Sequence, residues 1–128
     1  MKHVFLIILS VLALAIQVRA QDNGASLDAD AFQAAMMKQE AVVIDLRPWE
    51  IYADEHIEGA VDVDWEGGNL MKYLAGTDKD RTILLYCGSG YRSGQAKESL
   101  IKEGYTHVYD LKGGIETWEE AEKPVVKQ

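Results

Sequence analysis

Four short runs rich in β-branched and apolar residues, at positions 41–44, 61–64, 82–86 and 107–111, recur along the chain with segments of helical periodicity between them. Ala41, Val42, Val43 and Ile44 form a continuous apolar stretch too short for a helix, and Thr82 to Tyr86 is the strongest such run. Unbroken short runs are the pattern of strands buried on both faces. Strands of that kind alternating with amphipathic helices are satisfied by a parallel sheet with helices on both sides, so the expected class is α/β.

The segments between the runs carry helix start and stop signals. Asp28 is placed to cap a helix in which Leu27 and Phe32 have the spacing of a hydrophobic staple, and Phe32, Ala35, Met36 and Gln39 share one face, so this helix is expected to run to about Lys38. Pro48 suits the first position of a short helix through Trp49, Ile51, Tyr52 and Ala53. Gly67 and Gly68 break the second strand, and Leu70, Met71, Tyr73 and Leu74 suggest a helix ending near Gly76. A further helix begins around Arg92, with Ala96, Leu100 and Ile101 inward and Gly104 as its stop; a last short one carries Ile115 and Trp118.

At the front of the chain, Lys2 and His3 precede an apolar run from Val4 to Ile16, and Val18-Arg19-Ala20 has a small-x-small pattern. Residues 1–20 therefore read as a signal peptide, the alternative being a retained N-terminal anchor. The expected division is a disordered leader over 21–26, one domain over 27–123 and a frayed tail over 124–128. The first twenty residues hold two basic residues and no acids, so the remainder has 11 basic against 21 acidic residues, a net charge of −10. A domain so acidic has no means of binding nucleic acid by counterion release or of adhering to anionic lipid, and the reading is of a periplasmic or secreted protein, off the membrane once the signal is removed.

Export sharpens the significance of Cys87, which has no second cysteine to pair with. It follows the strongest strand, where ligands of open α/β sheets bind. Gly88-Ser89-Gly90-Tyr91 then leads into a helix whose entrance holds Arg92. Two glycines let successive backbone N–H groups turn inward as an anion-binding nest, and the helix start and the arginine add positive field. All three favour thiolate over thiol, which makes a sulfur within reach of solvent a nucleophile. The competing reading, a small hydrophobe ending a strand, is the usual fate of a lone cysteine but leaves the convergence of glycines, arginine and helix start unexplained.

The series Cys87-Gly88-Ser89-Gly90-Tyr91-Arg92 resembles the C-x-x-G-x-R loop of the single-domain rhodaneses, or sulfurtransferases. Upstream, Asp45-Leu46-Arg47 and His56-Ile57-Glu58-Gly59-Ala60 are similar to the family's D-x-R and H-I-x-G-A segments, and downstream Leu111, Gly113, Gly114 and Trp118 follow in the same order. The resemblance implies a five-stranded, mostly parallel sheet and a two-step sulfur transfer with no metal or organic cofactor. In it Cys87 takes a sulfur from a small-molecule donor such as thiosulfate and passes it to a thiol or cyanide acceptor, while the loop from Gly88 through Ser89, Gly90 and Tyr91 to Arg92 binds the substrate. Phosphatases of related design use five residues between cysteine and arginine; the four present here suit attack on a protruding sulfur. The other reading within the family is a non-catalytic sulfur-carrier or partner-binding module.

Other polar residues are read as structural. His56, ahead of a strand, is expected to make a structural hydrogen bond rather than to serve as a base for Cys87, and His107 to be a partly exposed polar residue. Neither has a second ligand at metal spacing. Asp45 and Arg47 are expected to form an intramolecular ion pair or cap. Trp49, Trp65 and Trp118 are expected in the core or in a pocket wall, with Trp65 at the mouth of the site.

Overall fold

The computed structural model describes residues 22–128; the proposed signal peptide lies outside them. Strand β1 (Ser26–Leu27) is followed by α1 (Ala29–Met36), β2 (Val42–Asp45), α2 (Trp49–Asp54) and β3 (Val61–Asp62). A 3-10 turn (Glu66–Gly68) leads into α3 (Asn69–Leu74), then β4 (Ile83–Tyr86), α4 (Tyr91–Lys102), β5 (Val108–Leu111) and α5 (Gly114–Glu120). The five strands form one sheet in the order β1-β5-β4-β2-β3, and every pairing is parallel.

Because side chains alternate along a strand, the sheet separates two cores. On one face Val43, Leu84, Tyr86 and Tyr109 pack with Phe32 of α1, Tyr52 of α2 and Ile115 and Trp118 of α5. On the other, Val42, Ile44, Ile83, Leu85 and Val108 pack with Leu70 and Leu74 of α3 and Ala96 and Leu100 of α4. Every residue of β2, β4 and β5 is buried, which accounts for their unbroken apolar runs.

The start of α1 follows its local signals: the Asp28 carboxylate accepts the Ala31 N–H at 2.8 Å, and Leu27 and Phe32 are buried in the same cluster. Two expectations at the chain ends are corrected. Within the leader expected to be disordered, Ser26 pairs with β5, Gly24 N–H donates to the Val108 carbonyl, and Asn23 bonds the Val108 N–H and the Tyr105 carbonyl. β1 has only two residues, so it lacks the periodicity that reveals a strand. The tail expected to fray is also tied down: Val126 forms an antiparallel bridge with His56, and Gln128 N–H reaches the Ala53 carbonyl.

Candidate active site

Alternation along β4 places the sulfur. Leu84 and Tyr86 face the α1/α5 core, whereas Ile83, Leu85 and, one step past the strand, Cys87 face the α3/α4 core. At the neighbouring end of β2 the chain leaves for α2 on the opposite face. The carboxyl ends of β2 and β4 thus diverge and open the crevice in which ligands of such sheets bind.

The geometry around Sγ is specific. Gly90 N–H donates to it at 3.2 Å and Ser93 N–H at 3.5 Å, while the Ser93 hydroxyl lies 3.5 Å away, placed to accept the thiol proton and itself donating to the Gly90 carbonyl. Gly90 adopts φ +97°, a left-handed conformation that turns its amide back towards the sulfur and that a side chain rarely tolerates. The amides of Gly88, Ser89, Tyr91 and Arg92 donate to no protein acceptor among the described residues. Sequence reasoning misses Ser93, which reads only as part of a helix start. Its position six residues after Cys87, in the first turn of α4, puts its buried hydroxyl and its N–H at the sulfur, and a serine at a helix start is the available signal.

One expectation about Cys87 is corrected. Cys87 is only 2% exposed, at the floor of the loop and in contact with the α3/α4 core, rather than open to solvent. Its place one residue beyond β4 continues the strand's inward alternation, so the loop closes above it. Tyr91, by contrast, is 72% exposed at the entrance, and its hydroxyl accepts a hydrogen bond from Gln95. The exposed Arg92 and Tyr91 line an open groove of about 710 Å³ whose other wall includes Trp65, Leu70 and Met71. Trp65 thus stands beside the loop as expected, and Trp118 is core; Trp49, however, is half exposed on α2.

The remaining polar residues support the scaffold. Asp45 and Arg47 form a buried bidentate pair, with Nη2 to Oδ2 at 2.7 Å and Nε to Oδ1 at 3.0 Å, and Arg47 also donates to the Glu55 carbonyl. His56 is buried, stacked on Tyr52 at 3.8 Å between ring centroids, with Nδ1 bonded to the Tyr52 carbonyl. His107 is exposed and contacts Thr106. Burial and the nearby Asp45 charge hold the Tyr86 hydroxyl un-ionised far above its ordinary range. Asp62 differs from these: its Oδ2 is buried with no partner among the described residues, and burial together with Asp45 and Asp64 pushes its pKa up to about 6. Among the described residues no three metal-ligating side chains cluster, and no helix is long and apolar enough to cross a membrane.

This loop, at this position in a five-stranded parallel sheet, is accompanied by a match over residues 28–121 to the rhodanese-like domain family. The chain belongs to that family. As a rhodanese-like domain it is 41% identical over 70 residues to the thiosulfate sulfurtransferase PspE of Escherichia coli, covering 55% of this chain and 67% of that one. It is 37% identical over 84 residues to the thiosulfate sulfurtransferase GlpE of Pseudomonas fluorescens, covering 66% and 75%. Among solved structures, the rhodanese-like domain of the Anabaena Alr3790 protein superposes with a TM-score of 0.70 at 26% identity, over 80% of this chain and 79% of that one. Its likeness to sulfurtransferases is thus established at the level of the family.

Proposed function

We propose that this chain is a thiosulfate sulfurtransferase that works through a persulfide on Cys87. The observation that carries the reading is the ring of amides: two already donate to Sγ, and those of Gly88, Ser89, Tyr91 and Arg92 are left for a bound anion. Donors fixed where negative charge gathers cost no reorganisation when the reaction occurs. The names of the PspE and GlpE relatives support thiosulfate as the donor.

In the first step the Cys87 thiolate forms a bond to the outer sulfur of thiosulfate. The sulfur–sulfur bond of the donor breaks with its electron pair, and sulfite departs. The Gly90 and Ser93 amides stay on Sγ, and the unpaired loop amides are available to the negative charge on the outer sulfur of the persulfide. In the second step cyanide or a thiolate attacks the terminal sulfur and Cys87 leaves as thiolate. No electrons enter or leave the pair of steps. Burial of Cys87 fits this chemistry: a terminal sulfur can reach the floor of the loop while its sulfonate stays at the rim, whereas a tetrahedral centre ringed by oxygens cannot approach as closely. The exposed guanidinium of Arg92 on the groove supports a part for it in attracting the anion. The same reading extends to residues 1–20 as an export signal and to a periplasmic or extracellular site of action.

The test is a thiosulfate:cyanide assay of the protein without residues 1–20 beside its Cys87→Ser variant, with intact-mass measurement after exposure to thiosulfate. Turnover and a one-sulfur adduct are expected for the parent protein only. Equal activity in both would remove the proposal, and an adduct without turnover would favour the sulfur-carrier reading.

A further inference from the structure

The loop around Cys87 is held from two sides. From α4 come the groups that touch the sulfur, Gly90 N–H at its cap and Ser93 in its first turn. From α5 comes a different set of contacts: Ile115 N–H donates to the Cys87 carbonyl at 2.9 Å, and Glu116 N–H donates to the Gly88 carbonyl at 3.3 Å. First-turn amides have no acceptor within their own helix, so two carbonyls of the loop cap the start of α5.

The approach is backbone to backbone. A Cβ on Gly114 would stand 2.3 Å from the Gly88 oxygen and 2.6 Å from the Cys87 oxygen, and one on Gly90 would stand 3.1 Å from Gly113 N. Only glycine permits this contact. In a trans peptide the N–H points opposite to the C=O, and no cis peptide occurs among the described residues. With the Cys87 and Gly88 carbonyls turned onto α5, the amides sharing those peptide planes, Gly88 N–H and Ser89 N–H, must point away from it. Neither has a protein acceptor among the described residues.

We propose that Gly114 and the first turn of α5 are the positioning element for the Gly88 and Ser89 amides, so that α5 aims the groups that bind the donor's anionic end while α4 aims those that hold the sulfur. This deepens, and rests on, the reading of the loop as a sulfur-transfer site. It requires the two tasks to be separable by mutation.

Two variants test it. Gly114→Ala drives a methyl group into both loop carbonyls. Glu116→Pro deletes the donor to the Gly88 carbonyl without placing a Cβ against the loop, at an exposed first-turn position where proline is tolerated, and keeps the test alive should Gly114→Ala fail to fold. Thermal melts establish that each variant is folded. The expected result for Gly114→Ala is a loss of about tenfold or more in kcat/KM for thiosulfate, while alkylation of Cys87 by uncharged iodoacetamide keeps its rate. Glu116→Pro shows the same split with a smaller loss. Parental kinetics in a folded variant, or alkylation and turnover falling by the same factor, would overturn the proposal. If the parent protein itself transfers no sulfur, the functional reading fails separately. The positioning role is then read from the Gly88 and Ser89 amide resonances during titration with inorganic sulfate, where a shift in the parent that is lost in Glu116→Pro supports it and no shift in the parent refutes it.

Discussion

Replacing Asp62 with asparagine tests whether the edge of the sheet carries an electrostatic cost that depends on pH. Asp62 lies in register with Asp45 on the adjacent strand, its Oδ2 has no partner among the described residues, and its pKa is about 6 against an ordinary 3.8. The folded protein therefore holds this proton more tightly than the unfolded chain. Below about pH 3.8 both states are protonated and the group contributes nothing. As pH rises towards 6 the unfolded chain ionises first, and stability falls; above 6 the full penalty is present. The gap of about two units is worth at most ~3 kcal/mol at 1.36 kcal/mol per unit. Asp62 is only half-buried and solvent screens it, so about 1 kcal/mol is the realistic figure. The asparagine amide has nearly the same shape as the carboxylate and no charge. Calorimetric melts of the parent and Asp62→Asn between about pH 4 and pH 7.5 should show a gain of about 4–8 °C at the upper end that shrinks to about a fifth of that at the lower. An equal shift at every pH would assign the effect to packing, and a loss at the upper end would mean that the carboxylate has a favourable partner.

Removing Arg47 has the opposite sign. In Arg47→Met the Asp45 carboxylate stays fully buried without its bidentate partner, and urea unfolding should show a loss of about 3–5 kcal/mol, most of it recovered when Asp45 is made apolar in the same molecule. Ser93→Ala takes away the hydroxyl beside the sulfur and leaves the backbone N–H of that position in place. In the thiolate the Ser93 hydroxyl turns to donate to the sulfur, so without it iodoacetamide alkylation of Cys87 and sulfur transfer should fall together by about five- to tenfold, corresponding to one hydrogen bond of about 1 kcal/mol. Unchanged alkylation would show that the hydroxyl serves the backbone and not the sulfur.

The parts of this molecule that depend on near neighbours in sequence are open to reading from sequence. The Asp28 cap, the Asp45–Arg47 pair and the entry from β4 through two glycines into α4 all act over a few residues, and each is where local chemistry puts it. What escapes depends on distant partners. β1 exists because Ser26 and Leu27 lie against Asp110 and Leu111, and the C-terminal residues are ordered because His56 offers Val126 a backbone partner. Burial of the sulfur escapes for a similar reason. Glycines and a cation mark the loop as a site, but the close backbone approach of α5 to it rests on Gly114, 27 residues beyond Cys87. Ser93 is in plain view yet ambiguous, since a serine in a first helical turn has a capping role available without any ligand.

The alternation of β4 has a consequence for how such a chain can vary. Tyr86 and Cys87 are adjacent in sequence but belong to opposite layers, and only the parity of the count from Ile83 decides which layer receives the thiol. A one-residue insertion within the strand would exchange them, sending the thiol in among Phe32 and Trp118 and presenting a phenol to the loop. Two residues would restore the order. Lengthening at Thr77 to Arg81, before the strand begins, leaves that count untouched, so natural length variation is expected to collect there and to be absent between Ile83 and Cys87.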